Sequence, residues 1–238
     1  EELALVERYF DNAPEGISFC AVGEIGLDYY WSQDFVAEQR EASIEQCRLA
    51  ARLGLPVAIH TRAAWDDMCE ILEAETERAA GRGERLRGVL HAYSEDADTY
   101  RRLKECGDWL FGVGGVVTYK KSLLAEAVAE MSLEDIVLET DCPYMAPVPN
   151  RGRRCDSGMI RFTAAAMAAA LPHSAWHPPW APEMLERMAI TSPMAAATSS
   201  ASRSRPVFSV FLPRQLRSLR RSRKPVTISA PPMNHMLS

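Results

Sequence analysis

The chain has 238 residues, 47% of them hydrophobic and 25% charged, a composition that suits one globular α/β domain, because barrels of ~250 residues fold as a single unit. It contains no run of 18 apolar residues, so no transmembrane helix is expected, and Glu1-Glu2-Leu3-Ala4-Leu5 lacks the basic start and apolar run of a signal peptide. The net charge of −5 hides an asymmetry: residues 1–186 hold 18 Lys and Arg against 32 Asp and Glu, a balance of −14, whereas residues 187–238 hold nine Lys and Arg and no acid, a balance of +9.

Taken in chain order, Ile17-Ser18-Phe19-Cys20-Ala21-Val22 predicts a buried strand. A helix is expected over residues 34–53, with Ile44, Cys47 and Ala51 at helical spacing and Gly54 as its stop. Pro56-Val57-Ala58-Ile59 predicts the next strand, residues 64–77 a helix, and residues 81–85 a turn built on Gly81 and Gly83. Gly88-Val89-Leu90 predicts a third strand, residues 96–106 a helix, residues 109–117 a fourth strand, residues 122–131 a helix, and Ile136-Val137-Leu138 a fifth strand. This βαβα order implies a parallel sheet with helices on its outside. The Ala/Met-rich residues 162–171 predict one more helix; residues 172–180 break regular structure, and a short helix is expected over 181–189. Residues 1–190 therefore read as the folded domain, and the basic Ser/Arg/Pro-rich residues 191–238 as a tail without stable structure.

Six cysteines without a Cys-x-x-Cys pair indicate reduced, mostly buried thiols and a cytoplasmic protein, not a disulfide framework or zinc knuckle.

Four residues with metal-binding side chains follow predicted strands: Glu24 after Val22, His60 after Ile59, His91 after Leu90, and Asp141 three residues after Leu138. In a parallel barrel all strand C-termini open onto one face, so remote residues at such places converge there. Two imidazoles and two carboxylates form a mixed N/O shell suited to Zn²⁺, Mn²⁺ or similar ions and less to Ca²⁺. Two ions ~3.5–4 Å apart can activate water and steady a phosphoryl leaving group. Either histidine alone reads equally well as a barrel-mouth residue bonded to backbone; four in equivalent places favour a metal.

Gly23-Glu24-Ile25-Gly26-Leu27-Asp28-Tyr29-Tyr30, Pro56 to Arg62, Gly88 to Ser94, Leu138-Glu139-Thr140-Asp141-Cys142-Pro143-Tyr144 and Pro147 to Arg154, in that order, resemble the TatD family of metal-dependent deoxyribonucleases across residues 16–171. The resemblance implies a TIM-like (β/α) barrel of the amidohydrolase-like superfamily that hydrolyses phosphodiester bonds of DNA, with one or two divalent cations (Mg²⁺, Mn²⁺ or Zn²⁺) per site. It implies Glu24 as a metal bridge, His60 and His91 as ligands, and Asp141 as a ligand that also takes a proton from the attacking water. Single-stranded DNA is the expected partner, cut from its end, with no membrane partner. The acidic body requires cations at the mouth for such a substrate. Arg62, Arg151, Arg153 and Lys120 are the phosphate-binding candidates, while Lys121 and Arg154 read as ordinary surface charges. Tyr93 and Tyr119 suit base stacking or plain packing equally.

The chain departs from the family pattern in three places. It contains no His-x-His pair, so the expected barrel is incomplete at its N-terminus; Cys155 stands where Asn is usual; and Pro193-Met194-Ala195 replaces an Asn-Ala signature. A shifted reading frame after about residue 192 accounts for the acid-free tail, and a basic nucleic-acid tether over 214–224 is the alternative. Two other functions remain in view: amide or ester hydrolysis by the same superfamily, disfavoured in its carboxylated-lysine form by the lack of lysine before Lys104, and an inactive nucleic-acid-binding remnant.

Overall fold

The computed structural model describes residues 2–171. Helix α1 (Glu2–Asp11) precedes five strands that alternate with helices: β1 (Val22–Asp28), α2 (Val36–Leu53), β2 (Val57–Arg62), α3 (Trp65–Gly81), β3 (Arg87–His91), α4 (Ala97–Cys106), β4 (Asp108–Val113), α5 (Leu124–Glu130), β5 (Ile136–Leu138) and finally α6 (Ile160–Ala170). The strands form one sheet in the order β1-β2-β3-β4-β5, and every neighbouring pair is parallel. This is the α/β, TIM-like (β/α) arrangement, and among the described residues β1 and β5 each pair on one side only. No helix among the described residues is long and apolar enough to cross a membrane.

Side chains alternate across each strand, so one register row faces the helices and the next faces away. Ile25, Ile59, Leu90 and Phe111 are partners along one row and share one buried cluster with Cys47 and Ala50 of α2, Met68 and Leu72 of α3, Leu103 of α4, and Leu124 and Val128 of α5. Each such side chain contributes about 1.5–3 kcal/mol by leaving water. The row one residue further along, Gly26, His60 and His91, faces away from those helices.

Strand β1 differs from the expected strand at residues 17–22. Val22 pairs with Val57 and Ile25 with Ile59, so β1 carries one more residue than β2 over that stretch, a β-bulge centred on Gly23 and Glu24. Both Val22 and Ile25 are buried although they lie three positions apart, because the bulge resets the alternation. Glu24 therefore lies within β1 and not beyond a strand end. Gly23 is required there, since a Cβ would come within 2.8 Å of the Ala58 Cβ. The expected fourth strand over 109–117 also divides: β4 ends at Val113, and Gly115–Thr118 forms a 3-10 turn. Helix α4 begins where Asp96 caps it by accepting from the Thr99 N–H at 2.9 Å, and α2 ends at Gly54 with φ 66°. The helix expected over 181–189 and the tail from residue 191 lie outside the described residues.

Candidate metal centre

His60 and His91 are register partners on adjacent parallel strands, which brings their backbones to about 4.8 Å. The β1 bulge and the turn after β5 then deliver carboxylates to the same place. His91 Nε2 lies 3.3 Å from Glu24 Oε1 and 3.8 Å from Asp141 Oδ1, and its Nδ1 lies 3.0 Å from Glu139 Oε2. The other oxygen of Glu139 accepts from the Ala92 N–H, which fixes the carboxylate at both ends. Room for it comes from Gly112, where a Cβ would stand 2.4 Å from Glu139 Oε2. His60 Nε2 turns to Asp28 Oδ2 at 3.3 Å, so it stands beside the cluster without touching those acids. A small cleft lined by Ala92, Gly114, Gly115, Glu139, Asp141 and Met145 opens next to it.

Three carboxylates around one imidazole demand positive charge. The His91 pKa rises to about 10, chiefly through its contacts with Asp141 and then Glu139, with Glu24 adding to them and burial opposing. The imidazolium supplies the cation that the acids require. Ligands held 2.0–2.2 Å from a transition-metal ion lie roughly 3–3.5 Å from one another, and the His91–Glu24 separation of 3.3 Å falls in that range. The donor set therefore fits a divalent ion once the imidazole is neutral. Among the described residues, however, no three His, Cys, Asp or Glu side chains converge on one point as a ready shell, because His91 contacts the acids directly.

Of the four residues singled out in the sequence, the fold thus brings Glu24, His91 and Asp141 into one cluster and sets His60 alongside. Glu139 and Asp28, which orient the two histidines, were not singled out. Their signals were a carboxylate two residues before Asp141 and another at the end of the Gly-Glu-Ile-Gly-Leu-Asp segment. Arg62 lays its guanidinium 3.7 Å from the Tyr30 ring centroid, and Arg151 lies 4.5 Å from that of Tyr119. Lys120, Lys121, Arg153 and Arg154 are exposed. Tyr93 is only 1% exposed, edge-on to Trp65 and Phe111, and its hydroxyl donates to the Asp96 carbonyl at 2.6 Å, so it is a core residue and not a base-stacking one. Tyr119 is half-buried and donates to the Ala146 carbonyl at 2.9 Å.

The family model described as TatD related DNase matches residues 4–178. The chain belongs to that family. Its relatives include the uncharacterized metal-dependent hydrolase YcfH of Escherichia coli K12, 36% identical over 157 residues that make up 66% of this chain and 56% of YcfH. Another is the uncharacterized metal-dependent hydrolase YabD of Bacillus subtilis, 34% identical over 62% of this chain and 56% of that protein. The chain thus spans little more than half the length of these TatD-family relatives. Among solved structures, the TatD homologue YjjV of E. coli K12 superposes with a TM-score of 0.63 at 26% identity, covering 79% of this chain and 66% of that one.

Proposed function

We propose that the chain carries the active face of a divalent-metal-dependent hydrolase that cleaves phosphodiester bonds of DNA, with Glu24, His60, His91 and Asp141 as the metal ligands. The observation that supports this reading is the approach of the Glu24 and Asp141 carboxylates to His91 Nε2 at the mouth of a parallel sheet, where such folds hold their active sites. The metal-dependent hydrolase names of the relatives and the DNase description of the family support it. When bound, one or two ions of Mg²⁺, Mn²⁺ or Zn²⁺ would supply a Lewis acid and make water a better nucleophile near neutral pH.

The chain's own residues do the rest. Glu139 holds the His91 ring by accepting at Nδ1, which turns Nε2 toward Glu24 and Asp141, where a metal would take the place of its proton. Asp141 is the most open of the three acids, with 42% of its side chain exposed against 23% for Glu24 and 17% for Glu139, so it is placed to receive a proton from solvent-borne water. In the hydrolytic step the water oxygen forms a new bond to phosphorus, one of its protons passes to Asp141, and the bond to the sugar oxygen breaks, that oxygen leaving as the alcohol after taking up a proton from solvent water. Arg62, Arg151, Arg153 and Lys120 bind phosphates; among the described residues none of them is paired to a carboxylate. Single-stranded DNA is the proposed substrate. The free thiols Cys20, Cys47, Cys69, Cys106, Cys142 and Cys155 support a reducing, cytoplasmic setting.

The test is hydrolysis of bis-p-nitrophenyl phosphate and of end-labelled single-stranded DNA with Mn²⁺ or with EDTA. The reading expects both to be cut with metal, not with EDTA, and not by Asp141→Asn. Cleavage of carboxylic esters or amides with no cleavage of either phosphodiester overturns it.

A further inference from the structure

Beyond the cluster, the ends of β1 and β2 hold an aromatic surface that the hydrolytic step does not use. Tyr30 and Trp31 are 54% and 55% exposed, while Trp65, Tyr93, Tyr100, Trp109 and Phe111 are buried. Their rings meet edge to face, with centroids 4.9 Å apart at 89°. The Arg62 guanidinium lies over both, 3.7 Å from the Tyr30 centroid and 5.5 Å from that of Trp31. Among the described residues Arg62 has no carboxylate partner, so its charge is not spent within this face.

This surface is held in place by the strands that carry the candidate ligands. The Tyr29 N–H donates to the Arg62 carbonyl at 3.0 Å, and the Tyr30 N–H donates to Asp28 Oδ1 at 3.0 Å. The other Asp28 oxygen contacts His60. Arg62 lies two residues beyond His60 and Tyr30 two beyond Asp28. The position is therefore fixed relative to the cluster before any ligand arrives, which limits the ordering entropy that binding must overcome.

We propose that Tyr30, Trp31 and Arg62 form a subsite that stacks an unpaired nucleobase of the DNA strand entering the cluster. The inference rests on the phosphodiesterase reading and names how that site grips its polymer. Every base has a π-face, so an aromatic ring accepts any of them, and a guanidinium close to the rings adds a positive charge whose N–H groups can reach a phosphate. Stacking also answers the charge problem, because its strength does not depend on a positive body, and this body is acidic. Bases inside a duplex already have both faces covered, so the subsite selects single strands and frayed ends.

The experiment compares a fluorescein-labelled oligothymidylate with a strand of equal length made of abasic nucleotides, bound to the full 238-residue chain in EDTA and followed by anisotropy. The wild-type chain binds the base-bearing strand roughly five- to a hundredfold tighter than the abasic one. Trp31→Ala and Tyr30→Ala remove most of that preference, Trp31→Phe keeps it, and Tyr9→Ala, which alters an exposed tyrosine on α1, leaves it intact. Equal binding of the two strands by the wild-type chain, or an undiminished preference in Trp31→Ala, overturns the proposal. Hydrolysis of bis-p-nitrophenyl phosphate, which carries no base, separately reports on the phosphodiesterase reading, so a failure of either is distinguishable.

Discussion

Replacing Glu139 by Gln probes the centre through a residue that need not touch a metal. Glu139 Oε2 lies 3.0 Å from His91 Nδ1, and Oε1 accepts from the Ala92 N–H. Gln has the same shape and keeps the second bond, so no buried donor is left unsatisfied, a loss that costs about 1–3 kcal/mol. The first contact changes sign: an amide N–H facing Nδ1 turns that nitrogen into an acceptor and favours the proton on Nε2, the nitrogen that must be bare to bind a metal. Outer carboxylate partners of metal-bound histidines contribute about 10–100-fold in metal affinity, equivalent to about 1.4–2.7 kcal/mol. Calorimetric titration with Mn²⁺ should therefore show a dissociation constant raised within that range for Glu139→Gln. The unfolding midpoint in EDTA should fall only modestly at neutral pH, because the variant loses one of the contacts that hold His91 protonated while Glu24 and Asp141 remain. An unaltered Mn²⁺ affinity refutes the claim that Glu139 sets the state of His91, and a large drop in metal-free stability refutes the claim that its role is orientation.

Further outcomes follow from the same geometry. Gly112→Ala places a Cβ 2.4 Å from Glu139 Oε2, so it should weaken Mn²⁺ binding in the same titration by an amount similar to Glu139→Gln. Asp141→Asn should lower the rate of phosphodiester hydrolysis by about 10²–10⁴-fold, the usual worth of a positioned proton acceptor, with an unchanged circular dichroism spectrum. Arg48 donates to both oxygens of buried Glu75 at 2.9 and 2.8 Å, so Arg48→Ala should cost about 2 kcal/mol in urea unfolding; Arg78, 3.7 Å from Glu75, retains part of the pairing. The Tyr29 hydroxyl and then the Arg40 guanidinium hold the Asp67 pKa below its ordinary 3.8. A carboxylate depressed in the folded state stabilises above its unfolded pKa and loses that contribution as pH falls through the folded one. Asp67→Asn should therefore flatten the decline of the unfolding midpoint below about pH 4.

What the sequence reveals of the fold depends on how each strand meets its surroundings. Val57-Ala58-Ile59, Gly88-Val89-Leu90 and Ile136-Val137-Leu138 read plainly as strands because their apolar side chains pack on the helices in unbroken alternation. Strand β1 does not, for two reasons. Its bulge at Gly23 and Glu24 breaks the two-residue period, and the face turned from the helices carries Gly26 and Asp28, residue types depleted in strands. The apolar run at 17–22 consequently drew the assignment upstream. At β4 the run Val116-Val117 continues the apolar pattern past Gly114-Gly115, and the pattern alone does not show that the chain turns there.

The site was legible to the same depth. Glu24, His91 and Asp141 lie together in the fold, while the partnership of His60 with Asp28 and of His91 with Glu139 depends on side-chain directions that no spacing rule carries. Tyr93 illustrates the converse. Its place directly after His91 and Ala92 suggested the mouth, yet its ring turns under the sheet between Trp65 and Phe111.

The most direct measurement is a Mn²⁺ binding titration of the 238-residue chain, read by the loss of the free-ion electron paramagnetic resonance signal, beside the variants Glu24→Ala and His91→Ala. Saturable uptake of one or two ions by the folded chain, lost in both variants, is the predicted result. A folded chain that leaves the free-ion signal untouched, or variants that take up Mn²⁺ as the parent does, contradicts the assignment of a metal to this cluster.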